Sequence, residues 1–176
     1  MTGLPAILAS AALAASPQRT LSELLNAPFL PSELPAEFGF TSARTGVLDV
    51  SANGRRYHVV GRVAAAVAGP DPEDAIAWDV FPTHAAALAD LRHPALPRDT
   101  HIVGVVAGVR DSQVLEGSLN GRGLTDAAAV VGNVLVQAVT ASDATSVHGN
   151  RFGTLALLRA GIAHLRRLGT GTAAKA

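Results

Sequence analysis

The sequence predicts an α+β domain: a two-layer sandwich in which a mainly antiparallel sheet is covered by two helices. Three observations carry this. Apolar positions alternate two by two through the middle of the chain, an amphipathic stripe with three- and four-residue spacing closes it, and Gly, Pro and Asn-Gly punctuation cuts the middle into short segments.

The leading residues set the address. Leu4 to Ala15 form an apolar run followed by Ser16, Pro17 and Gln18, and the small-x-small pattern Ala12-Leu13-Ala14 precedes that polar stretch. Residues 1–16 are therefore a candidate signal peptide, too short to span a bilayer as a stable helix. No Lys or Arg precedes the run, which leaves an N-terminal helix of the domain as the alternative. The expected location is extracellular or in the cell envelope; the alternative is cytoplasmic.

Residues 17–45 read as an extended wrapping segment, because Pro28, Pro31 and Pro35 leave little room for regular elements. A short helical turn is expected at Leu21–Leu25, capped by Thr20 or Ser22. Phe29, Leu30, Leu34, Phe38 and Phe40 are the expected hooks onto the domain.

The domain proper spans residues 46–169. Asn53-Gly54 suggests a tight hairpin turn between strands over Val47–Ser51 and Arg55–Val67. Tyr57, Val59, Gly61 and Val63 then share one face, and His58, Val60, Arg62 and Ala64 the other. Ala75–Phe81 reads as a strand with Ile76, Trp78 and Val80 on one face. Pro82 or Thr83 opens a helix through Arg92 with an apolar stripe of Ala85, Leu88 and Leu91 or Ala89. His101–Val109 is almost wholly apolar, as a central strand would be, and Gln113–Leu119 can pair with it across Arg110-Asp111. Gly117–Gly123 reads as a loop. Ala127–Thr140 reads as one long strand interrupted at Gly132-Asn133. Ser142–Gly149 is polar and expected to loop.

From Arg151 to Leu168, Phe152, Leu155, Leu158, Ile162 and Leu165 fall on one helical face. Asn150 is the expected N-cap and Gly169 the stop. Residues 170–176 are expected to be a flexible tail.

Composition bounds the function. A chain of 176 residues with 48% hydrophobic and 16% charged residues can fold around one core. Aromatics make up only 4%, so Val, Leu, Ile and the few Phe must supply most of that core, each worth roughly 1.5–3 kcal/mol when fully buried. Fourteen basic residues balance fourteen acidic ones, which argues against a general nucleic-acid binder or a surface held by anionic lipids. The basic residues are all arginine save Lys175, a bias of GC-rich coding rather than a sign of guanidinium chemistry. With no cysteine, disulfides, thiolate catalysis, cysteine-ligated metals and covalent haem are excluded.

Chemical motifs are sparse. Gly117–Gly123 lacks the Gly-Lys-Ser/Thr of a phosphate loop and the spacing of a dinucleotide fingerprint. The six histidines (58, 84, 93, 101, 148 and 164) form no HExxH or His-x-His pair, although Asp79, His84 and His93 are a conceivable metal set in three dimensions. Ser118 is not in a nucleophile elbow. Glu116 and Asp126 are a conceivable acid–base pair flanking a cleft. Trp78 reads as core. Arg122, Asn133, Asn150 and Arg151 fall at loops and strand breaks and are the candidate ligand-binding residues. No catalytic residue, metal or cofactor is assigned.

Three stretches are similar to small exported domains of actinobacterial type. These are Leu24–Phe40, Trp78–Leu91, and Val130–Val139 with the arginine-punctuated terminal helix that follows. Together they cover under half the chain. The resemblance implies a domain that binds or senses rather than catalyses; the absent lipid-attachment cysteine is a departure that puts surface anchoring in question.

The expected function is an exported, non-enzymatic module binding a small ligand or a protein partner. Two alternatives stand beside it. One is a cytoplasmic ferredoxin-like α+β barrel homodimer; the other is a small enzyme working through His84, Asp79 or Arg122.

Overall fold

Seven alternating stretches pair into one sheet. The computed structural model describes residues 18–50, 52–69, 74–95, 99–119, 121–142 and 150–168. Along the chain lie α1 (Leu21–Leu25), β1 (Ser42–Leu48), α2 (Ala52–Arg56), β2 (Gly61–Ala68), β3 (Ala75–Val80), α3 (His84–Arg92), β4 (His101–Gly104), β5 (Ser112–Leu119), β6 (Arg122–Val131), β7 (Val134–Ser142) and α4 (Arg151–Leu168). The strands lie in the order β1-β2-β3-β7-β6-β5-β4. Every neighbouring pair is antiparallel. Two meanders, β1-β2-β3 and β4-β5-β6-β7, thus meet at the β3–β7 seam. The fold is α+β with an antiparallel sheet, as its period-two pattern requires.

The two longer helices lie on opposite faces of this sheet, which corrects the expected two-layer arrangement. Leu157, Leu158, Ile162 and Leu165 of α4 pack with Trp78, Ala127, Ala129, Val134 and Val136. Ala87 and Leu91 of α3 pack with the residues between those positions, Ala128, Val130 and Leu135. Strand side chains alternate in direction, so β6 and β7 are apolar on both faces and need cover on both.

The N-terminal segment wraps the α4 face. Thr20 caps α1 with a capping box to Glu23. Phe29, Leu34 and Phe40 are buried hooks, whereas Leu30 is half exposed. Phe29 meets Trp78 edge-on at a centroid distance of 5.4 Å and His164 at 5.5 Å. Glu33 bridges to His164 Nδ1 at 3.0 Å and to Arg167. Burial pushes the Glu33 carboxyl up, but the Leu30 N–H, His164 and Arg167 together bring it below its ordinary range.

Other local expectations are corrected. Asn53-Gly54 lies inside α2, not in a hairpin turn. The Gly54 carbonyl accepts from the N–H groups of Tyr57 and Val59, and His58 ends the turn with φ 63°. Val47 therefore pairs with Val63 across a connection far longer than two residues. The two-residue turns fall elsewhere. Leu119 pairs with Arg122, with Gly121 at φ 79° between them, so the expected Gly117–Gly123 loop is mostly strand. Val131 pairs with Val134 around Gly132 at φ 63°, so the expected single strand Ala127–Thr140 is a hairpin.

His101–Val109 is a four-residue edge strand and a turn, not a central strand. Ile102 and Val105 are exposed while Val106 plugs the core. In α3 the buried residues are Ala87, Asp90 and Leu91, so the packed face is rotated away from Ala85, which is exposed. On α4 Phe152 is 76% exposed, and Gly153, Thr154, Leu157 and Gly161 join the packed face instead. Gly161 lets the helix approach the sheet closely: a Cβ there would clash with Ile76 Cδ1. The candidate signal peptide, Gly169, the tail and most of Ser142–Gly149 lie outside the described residues.

Candidate functional site

The face that carries α3 holds a row of charged and amide groups. Arg62 on β2 pairs across the strands with Asp79 on β3, donating from Nε and Nη2 to the two carboxylate oxygens at 2.6 Å each. This bidentate bond to Asp79 holds the guanidinium above its ordinary pKa. Farther along the same diagonal, Gln137 Nε2 on β7 donates to Asp126 Oδ2 on β6 at 2.6 Å. Asp126 Oδ1 is sealed from solvent and has no hydrogen-bond partner, although the residue as a whole is partly exposed. Burial raises the Asp126 carboxyl to about 6, against the opposing pull of Gln137 and Arg62.

Beside this row opens a cleft of about 340 Å³, lined by Leu88, Leu91, Arg92, Val105, Val109, Asp111, Ser112 and Gln113. One wall is the second half of α3. Thr83 caps that helix by accepting from the Ala86 N–H, and His84 Nδ1 donates to the Gly132 carbonyl at 2.6 Å. Ala87 and Leu91 fix its distance from the sheet by packing on Ala128, Val130 and Leu135.

The other wall is the β4–β5 connection. Its turn uses φ 75° at Gly108 and φ 47° at Asp111. Ser112 Oγ cross-braces it, donating to the Val109 carbonyl at 2.8 Å and accepting from the Val106 N–H at 3.0 Å. Both walls are thus held from beneath, as a preformed site requires.

Gln113 lies between the walls on β5. It is 8% exposed, pairs across the sheet with Ala128, and its side-chain amide bonds to none of the described residues. Its amide atoms keep contact with solvent, so their donors and acceptor are open to a ligand that enters the cleft. Arg92 and Asp111, both exposed, contribute opposite charges to the same cleft, and neither forms an ion pair among the described residues.

The structure does not bring the four sequence-chosen ligand residues together. Asn133 stands at the β6–β7 turn, about 30 Å along β6 from the end that carries Arg122. It is 4% exposed and its amide is fully engaged: Nδ2 donates to the carbonyls of Phe81 and Arg19, and Oδ1 accepts from the Arg19 N–H. Asn150 is the N-cap of α4, its Oδ1 accepting from the Gly153 N–H at 3.0 Å. Arg151 pairs with Glu116 at 3.3 Å on the α4 face. Strand alternation puts Arg122 on the opposite face of the same end.

The conceivable catalytic sets are separated too. Glu116 pairs with Thr125 and Leu115 with Asp126, so the two carboxylates point to opposite sides of the sheet. Among the described residues no group of three or more His, Asp or Glu is placed to hold a metal ion. Nor is any helix among them long and apolar enough to cross a membrane. No model of a known protein family matches the chain, and a search of curated protein sequences finds no relative.

Sequence reasoning missed Gln113, Arg92 and Asp111. The signal within reach was a glutamine two positions from Leu115, on the same face of β5.

Proposed function

We propose that the domain is a non-enzymatic module that binds a small ligand in the cleft between α3 and the β4–β5 connection. The observation that carries this is Gln113, a residue more than nine-tenths buried whose amide lines the cleft, keeps contact with solvent and has no partner among the described residues. Binding is favoured over catalysis at this cleft because Asp79 and His84, two of the candidate reactive groups, are held by partners within the fold. Asp79 accepts both bonds of Arg62, and His84 donates to a backbone carbonyl.

A thermal-shift screen of small amphipathic molecules tests the proposal. A ligand at one hundred times its Kd stabilises the fold by about 2.7 kcal/mol. The stabilisation is expected in the wild type and lost in Gln113→Ala. Hits that stabilise both proteins equally would place binding elsewhere.

The domain is further proposed to act outside the cytoplasm, on the strength of the apolar run Leu4–Ala15 and the small residues at its end. Mass spectrometry of the native N-terminus is expected to find it processed near residue 16; an intact Met1 would overturn this.

A further inference from the structure

Arg92 and Asp111 bring opposite charges, unpaired among the described residues, to one cleft whose floor is an amide equally unpaired there and whose sides are apolar. A simple anion drawn to Arg92 would face Asp111, and a simple cation drawn to Asp111 would face Arg92. Each would meet like charge on desolvation. A ligand carrying both charges satisfies both residues. The Gln113 side chain offers two donors and one acceptor, the complement of a peptide group.

Resting on the reading of this cleft as a ligand site, we propose that its ligand is a short zwitterionic peptide with apolar side chains. Its carboxylate meets Arg92 and its ammonium meets Asp111. Its amide pairs with Gln113 and its side chains lie among Leu88, Leu91 and Val105. The cleft, at about 340 Å³, falls at the small end of the range for ligand sites, which limits the peptide to about two residues.

Isothermal titration of the full chain with leucyl-leucine tests this, alongside N-acetyl-leucyl-leucine, leucyl-leucinamide and leucine. Leucyl-leucine is expected to bind, and either cap, or loss of the amide in leucine, is expected to weaken binding at least tenfold. Arg92→Gln should weaken leucyl-leucine at least tenfold yet bind leucyl-leucinamide as the wild type does. Asp111→Asn should do the same for the acetylated peptide, Asn being tolerated at that left-handed φ.

Capped peptides binding as tightly as the free one would overturn the proposal, as would a wild type that ignores leucyl-leucine. These arms need no variant to fold. An uncharged ligand whose binding is lost in Gln113→Ala would also overturn the zwitterion, while leaving the cleft as the binding site.

Discussion

Asn133 makes three hydrogen bonds that depend on an amide: two donated to backbone carbonyls and one accepted from a backbone N–H. Aspartate cannot donate and alanine can do neither. Asn133→Ala and Asn133→Asp are each expected to cost about 2–4 kcal/mol in urea unfolding; a loss below about 0.5 kcal/mol would contradict the clamp. The sequence singled out this residue but could not reveal its role. Its partners Arg19 and Phe81 are 114 and 52 positions away, and nothing local marks them.

Asp126 makes an opposite kind of prediction. Its carboxyl titrates near 6 in the fold against an ordinary value of 3.8. Below about pH 3.8 the folded and unfolded chains both hold the proton. Between the two values only the fold retains it, so this residue's contribution to stability falls as pH rises. The penalty is complete above about pH 6 and on the order of 3 kcal/mol. Asp126→Asn should remove that decline. Urea midpoints from pH 4 to 7 are expected to show the wild type losing ground to the variant across the interval; parallel curves would refute the assignment.

At the scale of elements, α4 was legible in its bounds, Arg151–Leu168, and in Leu158, Ile162 and Leu165 of its packed face, but not at Phe152. The stripe beginning at Phe152 looked continuous because sequence hydrophobicity counts a phenylalanine above a glycine. The sheet selects Gly153, Leu157 and Gly161, since small residues permit the approach that lets Trp78 Nε1 donate to the Gly161 carbonyl at 3.3 Å. Accordingly Phe152→Ser should change stability by no more than about 0.5 kcal/mol. Leu158→Ala should cost about 2–5 kcal/mol. Reversed magnitudes would place the helix on the wrong face. Turn chemistry misled in a similar way: two Asn-Gly pairs were present, and the hairpin belongs to the second, where Leu119 meets Arg122. The first is taken into α2, in the long connection after which Val63 pairs with Val47.

For the whole molecule, period-two alternation was enough to specify an antiparallel α+β fold. It was not enough to show that apolar runs on both faces of β6 and β7 call for helices on both sides. The hooks of residues 18–40 unite that segment with the core: Phe29→Ala is expected to cost about 3–5 kcal/mol within a single cooperative thermal transition. A separate early transition would show that residues 18–40 fold independently. The cleft itself was invisible to the sequence, since it is assembled from α3, a turn and one strand, and only tertiary packing brings Arg92, Asp111 and Gln113 to one place. The most direct measurement follows the Gln113 side-chain amide by NMR, together with the methyl groups of Leu88, Leu91 and Val105, as a bound ligand is titrated in. The amide and these methyls are expected to shift in concert and saturate at one Kd. Shifts confined to the opposite face, at the Trp78 indole and Thr154, would contradict the site.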